Sequence, residues 1–311
     1  MMQTGYDATL FTRADALAAG LTDRQMETRV RSGVWCALRP GIYVEAAGVD
    51  PASLSLRVRA ALHRLGPEAA ASHLTAAQLR AIATLGPRVA DVDVTRPATP
   101  GSTPAYLPGV RALRSALPDE HVVSHDGIRQ TTTARTVFDV ARTSSFRSGV
   151  VTADSALHRE LVTPEELRRI ADDCRRWPGR LKALAVIAFA DRRSESALES
   201  VSRVAIRDHD LPAPRPQVTL GDTDGPIGRV DFFWDEFNVV GEADGRVKYA
   251  DGEAEPTDLP PLWEEKLRQE RLEEAGFIVV RWTWNQIFFE PEKVVARIRV
   301  AFRRSELRRT A

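Results

Sequence analysis

The chain has 311 residues, 43% of them hydrophobic, with 43 basic and 43 acidic side chains and no net charge at pH 7. That length favours two or three domains over one, and neutrality leaves any attraction to a polyanion to local clusters rather than to the whole surface. Two cysteines, Cys36 and Cys174, far apart and without CxxC spacing, exclude a disulfide framework and a cysteine-rich zinc site.

The first elements fall between residues 10 and 45. Thr12-Arg13-Ala14-Asp15 has the form of a capping box, with Thr12 as N-cap and Asp15 reaching back. Gly20 ends that helix, and Thr22-Asp23-Arg24-Gln25 repeats the pattern to open a second. Met26 and Val30 lie four apart on its inner face, and Gly33 closes it. Residues 34–38 and 41–44 predict two strands around an Arg39-Pro40-Gly41 turn. Helix, turn, helix and hairpin is the order of a winged helix. Between residues 24 and 39, Arg24, Arg29, Arg31 and Arg39 stand against Glu27 alone, a local charge of +3. In a winged helix the second helix enters the major groove. Arg24, Gln25, Thr28, Arg29 and Arg31 are therefore expected at bases or phosphates, and Arg39 on the wing. The competing reading is a protein-binding unit with a solvated charged face.

The stretch from Leu10 to Val44, with its Gly-x-Trp and Arg-Pro-Gly-x-Tyr hairpin, resembles the N-terminal winged-helix domain of AbiEi-type antitoxins. These are the antitoxin half of type IV toxin–antitoxin systems. The resemblance implies a DNA-binding domain over residues 1–48, with DNA and a cognate toxin protein as partners.

Residues 49–190 read as a mixed α/β middle domain. Helical patterns cover 52–65, 75–82, 133–141 and 151–157. Strands are expected near 89–95, 110–114 and 121–123, with a Pro/Gly-rich loop over 96–108. The phrases ASHLTAAQLRAI, TTTARTVFDVAR and VVTADSALHRE resemble the linker domain of actinobacterial chains that join two such end domains. His63, His73, His121, His125 and His158 are scattered here, without the short one-face spacing that zinc requires.

Residues 191–311 predict the order αβββαβα: a helix to about 208, strands at 217–220, 229–234 and 238–245, a helix over 261–275, a strand over 277–282 and a last helix from Pro291. Residues two apart on a strand share a face, so Glu242 and Asp244 point the same way, and a neighbouring strand can bring Asp231 alongside. Carboxylates gathered so closely repel one another unless a cation joins them. Mg2+ or Mn2+ suits such hard oxygens, and would polarise a phosphate and activate water. Glu199, on the preceding helix, is a fourth candidate; its local alternative is an ion pair with Arg203, four residues on.

The ordered set SALESVSR, LPAPRPQV, GRVDFFW, VVGEADGRVKY and RQERLEEAGFIVVRWTW closely resembles the very-short-patch-repair-like endonucleases of the PD-(D/E)xK superfamily. The resemblance implies a restriction-endonuclease-like domain with Asp231 and Glu242 as the metal pair and Glu199 as the helical acid. Asp244 stands where the superfamily name expects lysine, and is implied as a further metal ligand or as a residue that holds one; Lys248 is the candidate replacement charge. Arg268 matches a family position and is expected at phosphate, the alternative being a surface pair with Glu264. Gln269 stands where these domains more often carry an acid.

The sequence thus predicts an α+β multidomain DNA-binding protein with a metal-dependent endonuclease-like domain that hydrolyses or nicks DNA. The alternative is a non-catalytic AbiEi-like antitoxin or transcriptional regulator that uses a degenerate nuclease fold for binding. Met1 to Leu10 has no apolar core and no run nears the roughly 20 apolar residues of a bilayer span, so a cytoplasmic location is expected.

Overall fold

The computed structural model describes residues 9–85, 91–97, 107–244 and 262–310. The fold is mixed α+β, and the chain divides into two compact units, residues 1–140 and 141–311. The boundary lies inside the stretch expected as one middle domain, whose later helices fold with the C-terminal sheet unit.

Unit one begins with β1 (Phe11–Thr12), α1 (Arg13–Ala18), α2 (Asp23–Arg31), β2 (Trp35–Arg39) and β3 (Ile42–Glu45). Both expected capping boxes form: Thr12 with Asp15, and Thr22 with Gln25. Each satisfies two amide donors that a helix start leaves open. The short β1 pairs Phe11 with Tyr43, which gives a three-stranded sheet in the order β1-β3-β2. Ala16, Met26 and Trp35 form its core, and the Phe11 ring meets Trp35 edge-on at 4.6 Å.

The same unit continues with α3 (Leu54–Leu65), β4 (Ala70–Ala71), α4 (His73–Leu79), β5 (Val92–Arg96), β6 (Val110–Arg114), β7 (Val122–His125), β8 (Ile128–Thr131) and the start of α5 (Thr133–Thr143). Its five-stranded sheet has the order β6-β5-β4-β8-β7. Val58, Ala61, Ala71, Val92, Val94 and Ile128 close the core under it. His73 and His121 are buried and lie apart from any cysteine or histidine cluster among the described residues.

Unit two packs α6 (Phe146–His158), α7 (Pro164–Asp173), α8 (Arg180–Phe189) and α9 (Ala197–Asp208) ahead of a mixed sheet. That sheet has β9 (Arg215–Asp222), β10 (Gly225–Trp234), β11 (Val239–Asp244) and β12 (Ile278–Thr283) in the order β12-β11-β10-β9. β9, β10 and β11 run antiparallel in succession, while β12 lies parallel to β11. The parallel pair needs a crossover, and α10 (Leu262–Glu274) lies between the two strands in the chain. α11 (Trp284–Phe289) and α12 (Pro291–Thr310) end the unit. α11 is an addition to the expected order, opened by a Thr283–Gln286 capping box.

Successive residues on β10 serve the two faces of the sheet. Phe233 joins Leu220, Val230, Val240 and Leu272 of α10. Phe232 stacks on Trp282 at 5.6 Å, and the Trp282 indole N–H donates to Ser202 Oγ of α9 at 2.8 Å. Trp234 and Trp282 are both buried core residues. On α10, Leu267 is exposed while Leu272 reaches into the cluster. Among the described residues no helix is long and apolar enough to cross a membrane.

Candidate functional site

Glu199 lies at the start of α9, Asp231 within β10 and Glu242 on the neighbouring β11. Ser196 caps α9 by accepting the Glu199 amide at 3.1 Å. The Glu199 carboxylate turns back, taking the Ser196 hydroxyl at 2.7 Å and the Glu195 amide at 3.1 Å. This leaves Glu199 buried at a helix N-terminus, where partial positive charge favours an anion. The alternative, a Glu199–Arg203 pair, does not form. Arg203 donates to buried Asp154 at 2.8 Å and to the Phe189 carbonyl, while Glu199 faces the sheet.

Asp231 accepts the Ala243 amide at 2.8 Å and the Gln217 side-chain amide at 3.3 Å. The same Gln217 nitrogen donates to Glu199 at 2.8 Å, so one amide links the two acids. Burial pushes the Asp231 carboxyl up to about 7, with Glu199 and Glu242 adding to the rise and the Ala243 and Gln217 hydrogen bonds opposing it.

Glu242 carries its own counter-charge. Arg268 donates to it at 2.7 Å and to the Arg229 carbonyl at 2.9 Å, and approaches Glu265 at 3.4 Å. Glu242, Glu265 and Asp231 outweigh the effect of burial and raise the Arg268 guanidinium. Gly228 makes room for it: a Cβ at that position would lie 2.9 Å from Arg268 Nε. Arg268 is therefore directed into the carboxylate site, and its pairing with Glu264 is replaced by pairs with Glu242 and Glu265. Asp244, two residues along β11, is opposite Thr283 of β12. Lys248 lies outside the described residues.

Among the described residues, no set of three or more His, Cys, Asp or Glu side chains is arranged to hold a metal ion. Asp231 and Glu242 fit a smaller requirement. Mg2+ is commonly held by one or two carboxylates, with water and phosphate completing its shell. The donor set is hard oxygen, and the Arg268 guanidinium already stands on Glu242 as a positive group. A three-carboxylate cage that includes Asp244 is not formed.

The expected DNA-facing residues lie on α2 of unit one. Arg24, Gln25, Thr28 and Arg29, with Thr22, line an open recess of about 460 Å³. Arg31 lines a second recess with Arg13 and Asp23. Arg29 also lies over the Trp35 ring at 5.2 Å, and Gln25 lends its side-chain oxygen to the Thr22 amide at 2.8 Å. Arg39 departs from the exposed wing position. It is half-buried and donates to the Pro108 carbonyl at 2.8 Å, and burial lowers its pKa. Trp284 begins α11 and stacks on Phe288 at 5.2 Å.

Gln217 is the site residue that sequence reasoning passes over. It is uncharged, follows Pro212, Pro214 and Pro216 in an edge strand, and offers no spacing that ties it to Glu199 or Asp231.

Residues 69–185 match the family model of the AbiEi antitoxin C-terminal domain. The chain is 30% identical over 168 residues to an uncharacterized protein of Mycobacterium tuberculosis, matched in strains CDC 1551 / Oshkosh and H37Rv. That overlap covers 54% of this chain and 59% of the relative, so the chain spans about three fifths of the length of the curated relatives it matches. A crystal structure of another Mycobacterium tuberculosis protein is similar at TM-score 0.42 and 14% identity, over 58% of this chain and 71% of that one. A likeness that slight carries no weight for fold or function. The middle of the chain, expected to resemble a linker domain of unknown role, is thus the part that carries the antitoxin-family match.

Proposed function

We propose that the protein is a DNA-binding regulator of the antitoxin type. The observation that carries this reading is the match of residues 69–185 to the AbiEi antitoxin C-terminal domain. The capped helices α1 and α2 and the hairpin after them support a winged helix, with Arg24, Arg29 and Arg31 exposed on α2 for phosphate or base contact. In this reading the partners are operator DNA and a toxin protein. The test is co-expression with the product of the neighbouring gene. An antitoxin restores growth that its toxin arrests; unchanged arrest, together with no gel shift of promoter DNA, refutes the reading.

A second reading rests on one geometric observation: Glu199 and Asp231 share the Gln217 amide, and Asp231 lies within the field of Glu242. With the strand order of unit two, this supports a restriction-endonuclease-like domain that cleaves DNA phosphodiesters. Asp231 and Glu242 would hold Mg2+ or Mn2+, which when bound supplies Lewis-acid polarisation of phosphate and an activated water. Glu199 orients the site from the helix, and Arg268 offers a guanidinium near an incoming phosphate. Supercoiled plasmid with Mg2+ or Mn2+ provides the test. Nicking by the wild-type protein that is lost in Asp231→Ala and Glu242→Ala supports it; equal nicking by all three, or none by the wild type, refutes it.

A further inference from the structure

We infer that α12 carries a second polyanion surface, which holds the phosphate backbone of duplex DNA without regard to sequence. This goes beyond promoter recognition by α2 and does not depend on it.

The chain as a whole is neutral, yet residues 291–310 hold seven basic side chains against Glu292 and Glu306, a local charge of +5. The apolar side of this helix is already occupied. Val294, Val295, Ile298, Ala301 and Phe302 are buried, and the Phe302 ring stacks on Phe237 at 4.0 Å and meets Trp234 edge-on at 5.5 Å. The charged side is therefore displayed on a fixed helix. Lys293, Arg297, Arg304 and Arg308 are all exposed and follow one another at four, seven and four residues, which puts them on one face. At 1.5 Å per residue this row is about 22 Å long, and at 3.6 residues per turn both acids of the helix lie off it.

The way its charges are met sets α12 apart from other helices of the unit. On α7, Arg168 pairs with Glu165 at 3.0 Å; on α10, Lys266 approaches Glu270 at 3.7 Å and Arg268 approaches Glu265 at 3.4 Å. Among the described residues, Lys293 alone of the basic side chains on α12 has a carboxylate partner, Glu290 just before the helix, at 2.7 Å. Arg297 donates to the Gln286 side chain, and Arg299 and Arg309 donate to main-chain carbonyls. Arg303, Arg304 and Arg308 make no hydrogen bond or ion pair among the described residues. Lys293 and Arg297, Arg299 and Arg303, and Arg304 and Arg308 are like-charge neighbours four apart, an arrangement that destabilises a helix by itself. A polyanion relieves it, because phosphates recurring along a strand neutralise such a row and release counterions. An anionic membrane fits less well. A helix lying on lipid sinks a broad apolar face, and the exposed large apolar residues of α12 are Val300 and Leu307.

The test is fluorescence anisotropy of the full chain with a labelled duplex of about 20 base pairs and unrelated sequence, titrated between about 50 and 200 mM salt. Arg304→Ala combined with Arg308→Ala should reduce the magnitude of the log K versus log salt slope by about 1.8. Arg304→Lys with Arg308→Lys keeps the charge and should keep the slope. Arg168→Ala with Arg192→Ala removes the same charge from arginines already paired with Glu165 and Glu160, and should match wild type. An unchanged slope in the Arg304 and Arg308 alanine variant overturns the inference. So does an equal loss in the Arg168 and Arg192 variant, which would make the effect one of net charge. Should the alanine variant melt lower than wild type by circular dichroism, Arg304→Gln with Arg308→Gln decides on the same criterion. Vesicles of phosphatidylserine and phosphatidylcholine offer the other anionic surface. Co-sedimentation with them, without duplex binding by the wild type, overturns the inference in favour of lipid. A failed promoter footprint bears on α2 alone, because this duplex carries no operator.

Discussion

Gly241→Ala is the sharpest test of how the sheet sets up the carboxylate site. A Cβ at 241 would lie 2.6 Å from Trp282 Cη2, 3.0 Å from Cζ3 and 3.1 Å from Phe232 Cβ. None of these is the free end of a flexible chain. The Trp282 indole is fully buried, stacked on Phe232 and hydrogen-bonded to Ser202. Overpacking of this kind costs about 1–3 kcal/mol. If the indole swings away, the lost Ser202 hydrogen bond adds about 1 kcal/mol. A total of about 2–4 kcal/mol in a unit of this size lowers the melting temperature by roughly 10 °C. Circular dichroism melts of wild type, Gly241→Ala, Trp282→Phe and the double variant measure it. A phenyl ring lacks the two clashing carbons, so the double variant should recover about 1–3 kcal/mol relative to the sum of the singles. Strict additivity, or a Gly241→Ala change within about 0.5 kcal/mol, would refute the packing argument.

Burial raises the Asp154 carboxyl to about 6, against the partial compensation of Arg203. The folded state therefore holds a proton that the unfolded state has released between about pH 4 and 6, so this group's contribution falls as pH rises through that window. Urea unfolding should show wild type losing up to about 3 kcal/mol relative to Asp154→Asn between pH 4 and 7; a flat or rising difference contradicts this. Thr22 caps α2 through Gln25, so Thr22→Ala should cost about 1 kcal/mol in thermal or urea melts. In the DNA-binding reading, changing both Arg24 and Arg29 to alanine removes two phosphate contacts. Fluorescence anisotropy should then show the log K versus log salt slope reduced in magnitude by about 1.8, and an unchanged slope would remove these residues from the interface.

Much of the local structure was legible because it is written in short-range chemistry. The two capping boxes at Thr12 and Thr22 mark their helices directly. The 229–234 and 238–245 stretches announce paired strands through their apolar residues. Other elements left weaker marks. β4 is two alanines, which have no alternation to detect and are held by β5 and β8 on either side. β8 carries a readable signal, the Asp126-Gly127 turn, where both residues adopt positive φ and join β7 to β8. Within the site, charge made Glu199, Asp231 and Glu242 visible. Gln217 was not, because its placement depends on a left-handed backbone and on two partners distant in sequence. The inward turn of Arg268 depends likewise on the missing Cβ of Gly228, and that of Arg39 on a carbonyl 69 residues away.

The central claim is sequence-specific DNA binding by an antitoxin-type regulator, and DNase footprinting of the promoter upstream of the protein's own gene tests it most directly. The account predicts a discrete protected site at moderate salt, bound at least about 10³-fold more tightly than unrelated duplex. It also predicts loss of that site when Arg24 and Arg29 are both changed to alanine. No protection, or equal affinity for any duplex, would contradict it.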